Sequence, residues 1–140
     1  MPDTELPAPL LQAYAATQYG LQGLDWHLSI GQHQPALAAH FTRHAVQCAT
    51  YLTACNPYST PLTAAENAQR MNELRQALQK AGWSWLDGQG RDPSGQWPPE
   101  DSVLVWGMPD STARAWGAQW QQNAVVFCGA DCVPQLLLLQ

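Results

Sequence analysis

Apolar residues along this chain recur in two rhythms, one near every third or fourth position and one alternating, and the changes between them mark the elements. From about Pro7 to Tyr19, Leu10, Leu11, Tyr14 and Ala15 follow a helical spacing that Gly20 and Gly23 break. Trp26-His27-Leu28-Ser29-Ile30 alternates and predicts a short strand ended by Gly31. Pro35 suits a helix start, and Leu37, Ala38 and Phe41 carry a narrow apolar stripe to about His44. Val46 to Cys55 predicts a strand with small or apolar residues on both faces, the pattern of an inner strand covered on both sides. Asn56-Pro57-Tyr58-Ser59 ends it as a turn.

The strongest helix signal in the sequence follows. Thr63 and Glu66 form a capping box, in which each side chain answers an otherwise unpaired backbone N–H. Asn67, Met71, Leu74, Leu78 and Ala81 share one face, and Gly82 is the stop. Trp83 to Leu86 predicts a short strand, and Asp87 to Glu100, rich in Gly, Pro and Asp, a loop of about fourteen residues. Ser102 to Trp106 is the next strand. Asp110 is the expected N-cap of a helix carrying Ala113, Trp116, Gly117, Trp120 and Ala124. Ala124 to Cys128 and Gln135 to Leu139 complete the strands.

From Val46 onward the order is strand–helix–strand–strand–helix–strand, with one more strand at the end. That order predicts an α+β fold with a ferredoxin-like split βαβ sheet. An N-terminal helix–strand–helix and the C-terminal strand are additions to it. Residues 1–140 are expected to form one domain, with a core over 46–139 and an extension over 7–45 packed on it.

Composition narrows the function classes. Of 140 residues 46% are hydrophobic and only 12% charged, about half the usual share. Six basic residues stand scattered against eleven acids for a net charge of −5, so no basic stripe exists for a nucleic-acid backbone. No stretch approaches the ~20 apolar residues of a membrane span. The acidic start Met1-Pro2-Asp3-Thr4-Glu5 lacks the basic and apolar regions of a secretory leader, and reduced thiols at Cys48, Cys55, Cys128 and Cys132 follow; a cytoplasmic chain is expected.

Four groups are candidates for chemistry. Asn56 and Ser59 sit where the chain leaves the sheet, and Glu66, Asn67 and Arg70 lie on the first turns of the next helix. Glu66 and Arg70, four apart, can pair, and a helix start suits an anion. Turn formation, capping and that ion pair account for the same residues without a ligand. In Trp97-Pro98-Pro99-Glu100, two prolines make a stiff segment that sets Glu100 beside the following strand, as a general base or as a partner for Arg70, while Trp97 plugs the core edge. Gln121-Gln122-Asn123 ends the last helix. Asn123 suits a left-handed cap and Gln122 a buried backbone group, and amides lining a pocket are the functional alternative. His40 and His44, four apart on a helix, have ligand spacing but no HExxH pattern and no third ligand, so no metal is expected. Neither a dinucleotide fingerprint, a P-loop nor a Gly-x-Ser-x-Gly elbow occurs, and no cofactor is expected.

Thr53-Ala54-Cys55-Asn56-Pro57-Tyr58-Ser59, Glu66-Asn67 with Arg70 downstream, Trp97-Pro98-Pro99-Glu100 and Gln122-Asn123-Ala124-Val125-Val126 together resemble a bacterial family of small proteins, domain of unknown function 3293. Order and spacing agree from about Tyr14 to Leu138. Cys55 stands where that pattern carries a tryptophan, which argues against Cys55 as a ligand or nucleophile. The resemblance implies a cytoplasmic bacterial protein and supplies no activity. The leading expectation is a noncatalytic module that binds a small anionic ligand or a protein partner through Asn56, Ser59, Asn67, Arg70, Trp97, Glu100 and Asn123. The alternative is a small enzyme with Glu100 as acid or base and Arg70 orienting the substrate.

Overall fold

The computed structural model describes residues 6–139; Met1–Glu5, on which the leaderless reading rests, lie outside them, as does Gln140. In chain order the described residues form α1 (Ala8–Ala16), β1 (Gln18–Leu21), β2 (His27–Leu28), α2 (Ala36–His44), β3 (Ala49–Leu52), α3 (Ala64–Lys80), β4 (Trp85–Arg91), β5 (Glu100–Trp106), α4 (Asp110–Gln119), β6 (Ala124–Cys128) and β7 (Pro134–Leu138). A single 3₁₀ turn, Pro57–Ser59, separates β3 from α3. The fold is therefore mixed α+β, built on one antiparallel sheet in the order β2-β1-β4-β5-β3-β6-β7.

The strand expected over Val46 to Cys55 is confined to Ala49–Leu52, the stretch that pairs with both β5 and β6, and all four of its residues are buried, as the two-sided apolar pattern requires. Ala49 and Tyr51 face one apolar cluster, which Leu37 and Phe41 of α2 cover together with Leu28, Leu104 and Trp106. Leu52 faces the opposite cluster, where α3 brings Met71, Leu74 and Leu78 and α4 brings Ala113 against Val103, Val105 and Val125. Each fully buried leucine contributes roughly 2 kcal/mol of apolar transfer. Thr50 also points to this second side, and its hydroxyl donates to the Met108 carbonyl at 2.9 Å, so that buried hydroxyl is paired.

The cap of α3 forms as its sequence indicates. Thr63 Oγ1 accepts from the Glu66 N–H at 3.1 Å and Glu66 Oε1 accepts from the Thr63 N–H at 3.0 Å. Other expectations need correction. The first helix ends at Ala16 rather than Tyr19, because Gln18–Leu21 pairs with β4 as a strand. The Trp26–Ile30 strand shrinks to two residues. Pro109, in extended backbone, is the N-cap of α4, and Asp110 is its first helical residue. The expected loop from Asp87 to Glu100 is largely a hairpin, with Asp87 to Arg91 and Glu100 inside strands and only 92–99 as connection. That connection winds around Asp92. Its carboxylate is held below the usual range by the Ser94 hydroxyl and by the N–H groups of Ser94, Trp97 and Gln96.

Glycines in β4 disguised that strand, and at Gly88 the cause is steric. A Cβ on Gly88 would lie 2.3 Å from the Gly20 carbonyl oxygen and 3.0 Å from the Tyr51 hydroxyl. The Tyr51 hydroxyl donates to that same carbonyl at 2.9 Å, crossing the space a side chain would need. Gly88→Ala should therefore cost about 1–3 kcal/mol by overpacking and lower the melting temperature by roughly 3–12 °C. Calorimetry checks this, and an unchanged melting point would show that β1 and β4 separate without cost.

Candidate functional site

Where β3 ends, the backbone is forced into an uncommon shape. Asn56, Tyr58 and Ser59 have φ of 48°, 52° and 61°, the left-handed region that non-glycine residues rarely enter. Side chains from distant elements hold it there. The Asn56 N–H donates to Asn67 Oδ1 at 2.9 Å, and Asn67 Nδ2 returns a bond to Asn56 Oδ1 at 2.8 Å. Asn56 Oδ1 also accepts from the Leu62 N–H at 3.0 Å. Asn56 Nδ2 donates to Glu100 Oε2 at 2.9 Å, which ties the turn to the first residue of β5. The Tyr58 N–H donates to the Gln121 carbonyl at 2.7 Å.

Ser59 joins a second group. Its hydroxyl accepts from Asn123 Nδ2 at 3.0 Å and shares a hydrogen bond with the Tyr14 hydroxyl at 3.2 Å. Asn123 is buried, whereas Ser59 is exposed. The Tyr14 phenol is pushed above its ordinary pKa by burial, against the pull of its hydrogen bonds to Ser59 and Asn123. Burial likewise raises the Glu100 carboxyl, with Asn56 Nδ2 pulling it part of the way back. Cys55, next to the turn, is pushed up by burial to about 11, so its sulfur stays a thiol at neutral pH.

Arg70 is placed differently from the expectation. Its Nε–H donates to the Ala54 carbonyl, one Nη donates to the Trp120 carbonyl at 2.8 Å and the other to Gln121 Oε1 at 3.2 Å. It pairs with neither Glu66, which is turned back to the cap of α3, nor Glu100. Among the described residues the one ion pair runs between Arg75 Nε and Asp87 Oδ1, at 2.9 Å. A planar fork that bonds the backbone exits of β3 and α4 is a brace between elements. The α3 cap answers its own N–H groups, so the helix start offers an anion little.

Asn56, Asn67 and Glu100 thus form one bonded group, and Ser59 and Asn123 a second, bridged to the first by the turn. Trp97 stands outside both. Its N–H bonds to Asp92 and its side chain is 56% exposed, which corrects the plug expected at the core edge. Gln121, with φ of 61°, takes the left-handed position after α4 that the sequence suggested for Asn123. Gln122 Nε2 donates to the carbonyls of Cys55 and Trp120 at 3.2 and 3.1 Å, the buried backbone role expected of it. Tyr14 is the member that sequence reasoning missed, since its place on a helical stripe marked it as core.

The His40 and His44 rings stack on Trp106 with centroids 5.6 and 4.3 Å away. Among the described residues no three His, Cys, Asp or Glu side chains gather as metal ligands, and no helix is long and apolar enough to cross a membrane.

A family model described as Protein of unknown function (DUF3293) matches residues 52–125, a span that contains Asn56, Ser59, Asn67, Arg70, Trp97, Glu100 and Asn123. Neither the curated proteins nor the solved structures contain a match to the chain.

Two outcomes follow from this geometry. Arg70→Ala strips two backbone carbonyls of a charged donor and should cost about 2–3 kcal/mol. The melting temperature then falls by roughly 6–12 °C, and a fall under about 2 °C would show that water replaces the brace. For Glu100, a raised carboxyl pKa means that the folded chain binds the proton more tightly, so stability declines as pH rises from the unfolded-chain value through the folded one. Glu100→Gln keeps an acceptor for Asn56 and removes this loss. It should melt near the parent at about pH 4 and above it at about pH 7.5, in thermal scans over that range, whereas a gap that narrows with rising pH contradicts the assignment.

Proposed function

The chain belongs to the DUF3293 family, and we propose that it is a noncatalytic binding module of the bacterial cytoplasm that docks a protein partner at the 56–59 turn. One observation carries the reading. Among the described residues the two large hydrophobic side chains left exposed are Tyr58, at 50%, and Trp97, at 56%. Both lie on the two segments that the Asn56–Glu100 hydrogen bond joins. An exposed tyrosine on a braced, conformationally costly turn, with an exposed tryptophan on the connection leading to Glu100, is the kind of anchor that dominates binding energy at interfaces. Arg70 enters this reading as the brace, since its bonds to Ala54, Trp120 and Gln121 leave a small anion less to gain than the expectation assumed.

The cytoplasmic setting is supported by four cysteines that are all free thiols. We also read β3–α3–β4–β5–α4–β6 as a ferredoxin-like split βαβ unit. The central order β4-β5-β3-β6 and its antiparallel pairing support that reading. A second function is favoured by the buried Glu100 alone: a carboxyl with a raised pKa, oriented by Asn56, suits a general acid or base.

The docking reading is tested with a Tyr58→Ala/Trp97→Ala double variant. A partner captured by the parent chain is purified and reconstituted, and its affinity should fall by about a hundredfold with the variant, whose melting temperature stays within about 3 °C. Equal affinity of parent and variant removes the proposal. Loss of turnover on a substrate panel in Glu100→Gln, with partner binding intact, would favour the enzyme.

A further inference from the structure

On the α3 side of the sheet, beside Arg75, β1 and β4 floor a groove of about 720 Å³. That volume lies in the range of small-molecule sites. Strand register fixes its floor: Gln18 lies opposite Arg91, Gly20 opposite Gln89, and Gln89 opposite Asp101. Residues paired in this way share one face. Gly20 leaves the middle open down to the backbone, where even a Cβ would come within 3.1 Å of the Gln89 carbonyl.

The charges of this groove are unequally satisfied. Arg75 and Asp87 neutralise each other at 2.9 Å, and Asp25 is a further carboxylate in the lining, at the β1–β2 end. Asp101 Oδ1 accepts from Gln89 Nε2 at 3.2 Å, and its second oxygen has no side-chain partner among the described residues. The guanidinium of Arg91 has no hydrogen-bond or ion-pair partner among the described residues. Arg91 and Asp101 are diagonal neighbours across β4 and β5, roughly 7–8 Å apart by strand geometry. They do not close into an ion pair. A cation and a carboxylate on one face, with a gap between them and amides alongside, complement a small molecule that carries both charges. A ligand with only one charge leaves the other side of the groove unanswered.

We propose that this groove binds a free α-amino acid, its carboxylate on Arg91 and its ammonium on Asp101, with Gln18 and Gln89 as hydrogen-bonding neighbours. The site lies on the opposite side of the sheet from Tyr19 and Tyr51, and is independent of the docking surface at Tyr58.

The test is titration calorimetry of the full chain with the twenty free amino acids, each beside its N-acetyl and its carboxamide form, and with neutral monosaccharides. At least one amino acid should bind below about 1 mM, and blocking either charge should weaken it by about tenfold or more. Arg91→Gln and Asp101→Asn, both at exposed positions, should each weaken the free amino acid to a similar degree while melting within about 2 °C of the parent. The proposal is overturned if no amino acid binds at about 10 mM, if blocked forms bind equally well, or if both variants bind as the parent does. Monosaccharide binding in place of amino-acid binding overturns it as well.

Discussion

Strand β3 has to be buried on both faces at once, and the layering of the molecule follows from that requirement. Four residues of alternating direction present Ala49 and Tyr51 to one side and Thr50 and Leu52 to the other. A strand of this kind gains its apolar transfer energy only if each face is covered by a separate layer. Helices α3 and α4 supply one layer, and α2 with the N-terminal strands supplies the other. The polar turn that follows β3 is braced from α3 by Asn67 and Arg70 and from α1 by Tyr14.

The bracing decides how the turn is read. Left-handed backbone at three non-glycine residues costs free energy, and it persists because Asn56, Asn67, Asn123 and Gln121 surround it with hydrogen bonds. Arg70 donates to backbone carbonyls at the exits of two elements, so its charge serves the fold. What remains outward is aromatic. The sheet face beyond α3 differs in kind: its side chains are amides and charges, and one guanidinium is left unanswered.

The legible parts of the sequence were those written in local chemistry. The capping box, the stripe of Met71, Leu74 and Leu78, and the two-faced pattern before Asn56 each depend on residues within a turn or two of one another; the first two formed as expected, and the third formed as a shorter strand, Ala49–Leu52. Strand β1 and the second half of β4 were not legible, because Gly20 and Gly88 owe their identity to a close approach of two strands that are remote in sequence. The polar cluster was legible in membership and not in wiring. Glu66 and Arg70 stand at ideal spacing for a pair, yet tertiary partners outcompeted it: carbonyls for the arginine and the cap for the glutamate. Tyr14 carried no local signal, since only the fold brings it to Ser59.

Sheet order has a further consequence for the history of each molecule. Strand β3 finds its neighbours in β5 and β6, and β1 finds its main partner in β4, all of them much later in the chain. Before β4 exists, the only strand pairing open to the growing chain is the two-residue contact of β1 with β2. Distant closures must be made before they are rewarded, which slows acquisition of structure. On the ribosome the first half of this chain therefore emerges with its most apolar strand unpaired. That strand is four residues long and ends at Leu52, just ahead of the polar turn, so the segment in need of shielding during synthesis is short.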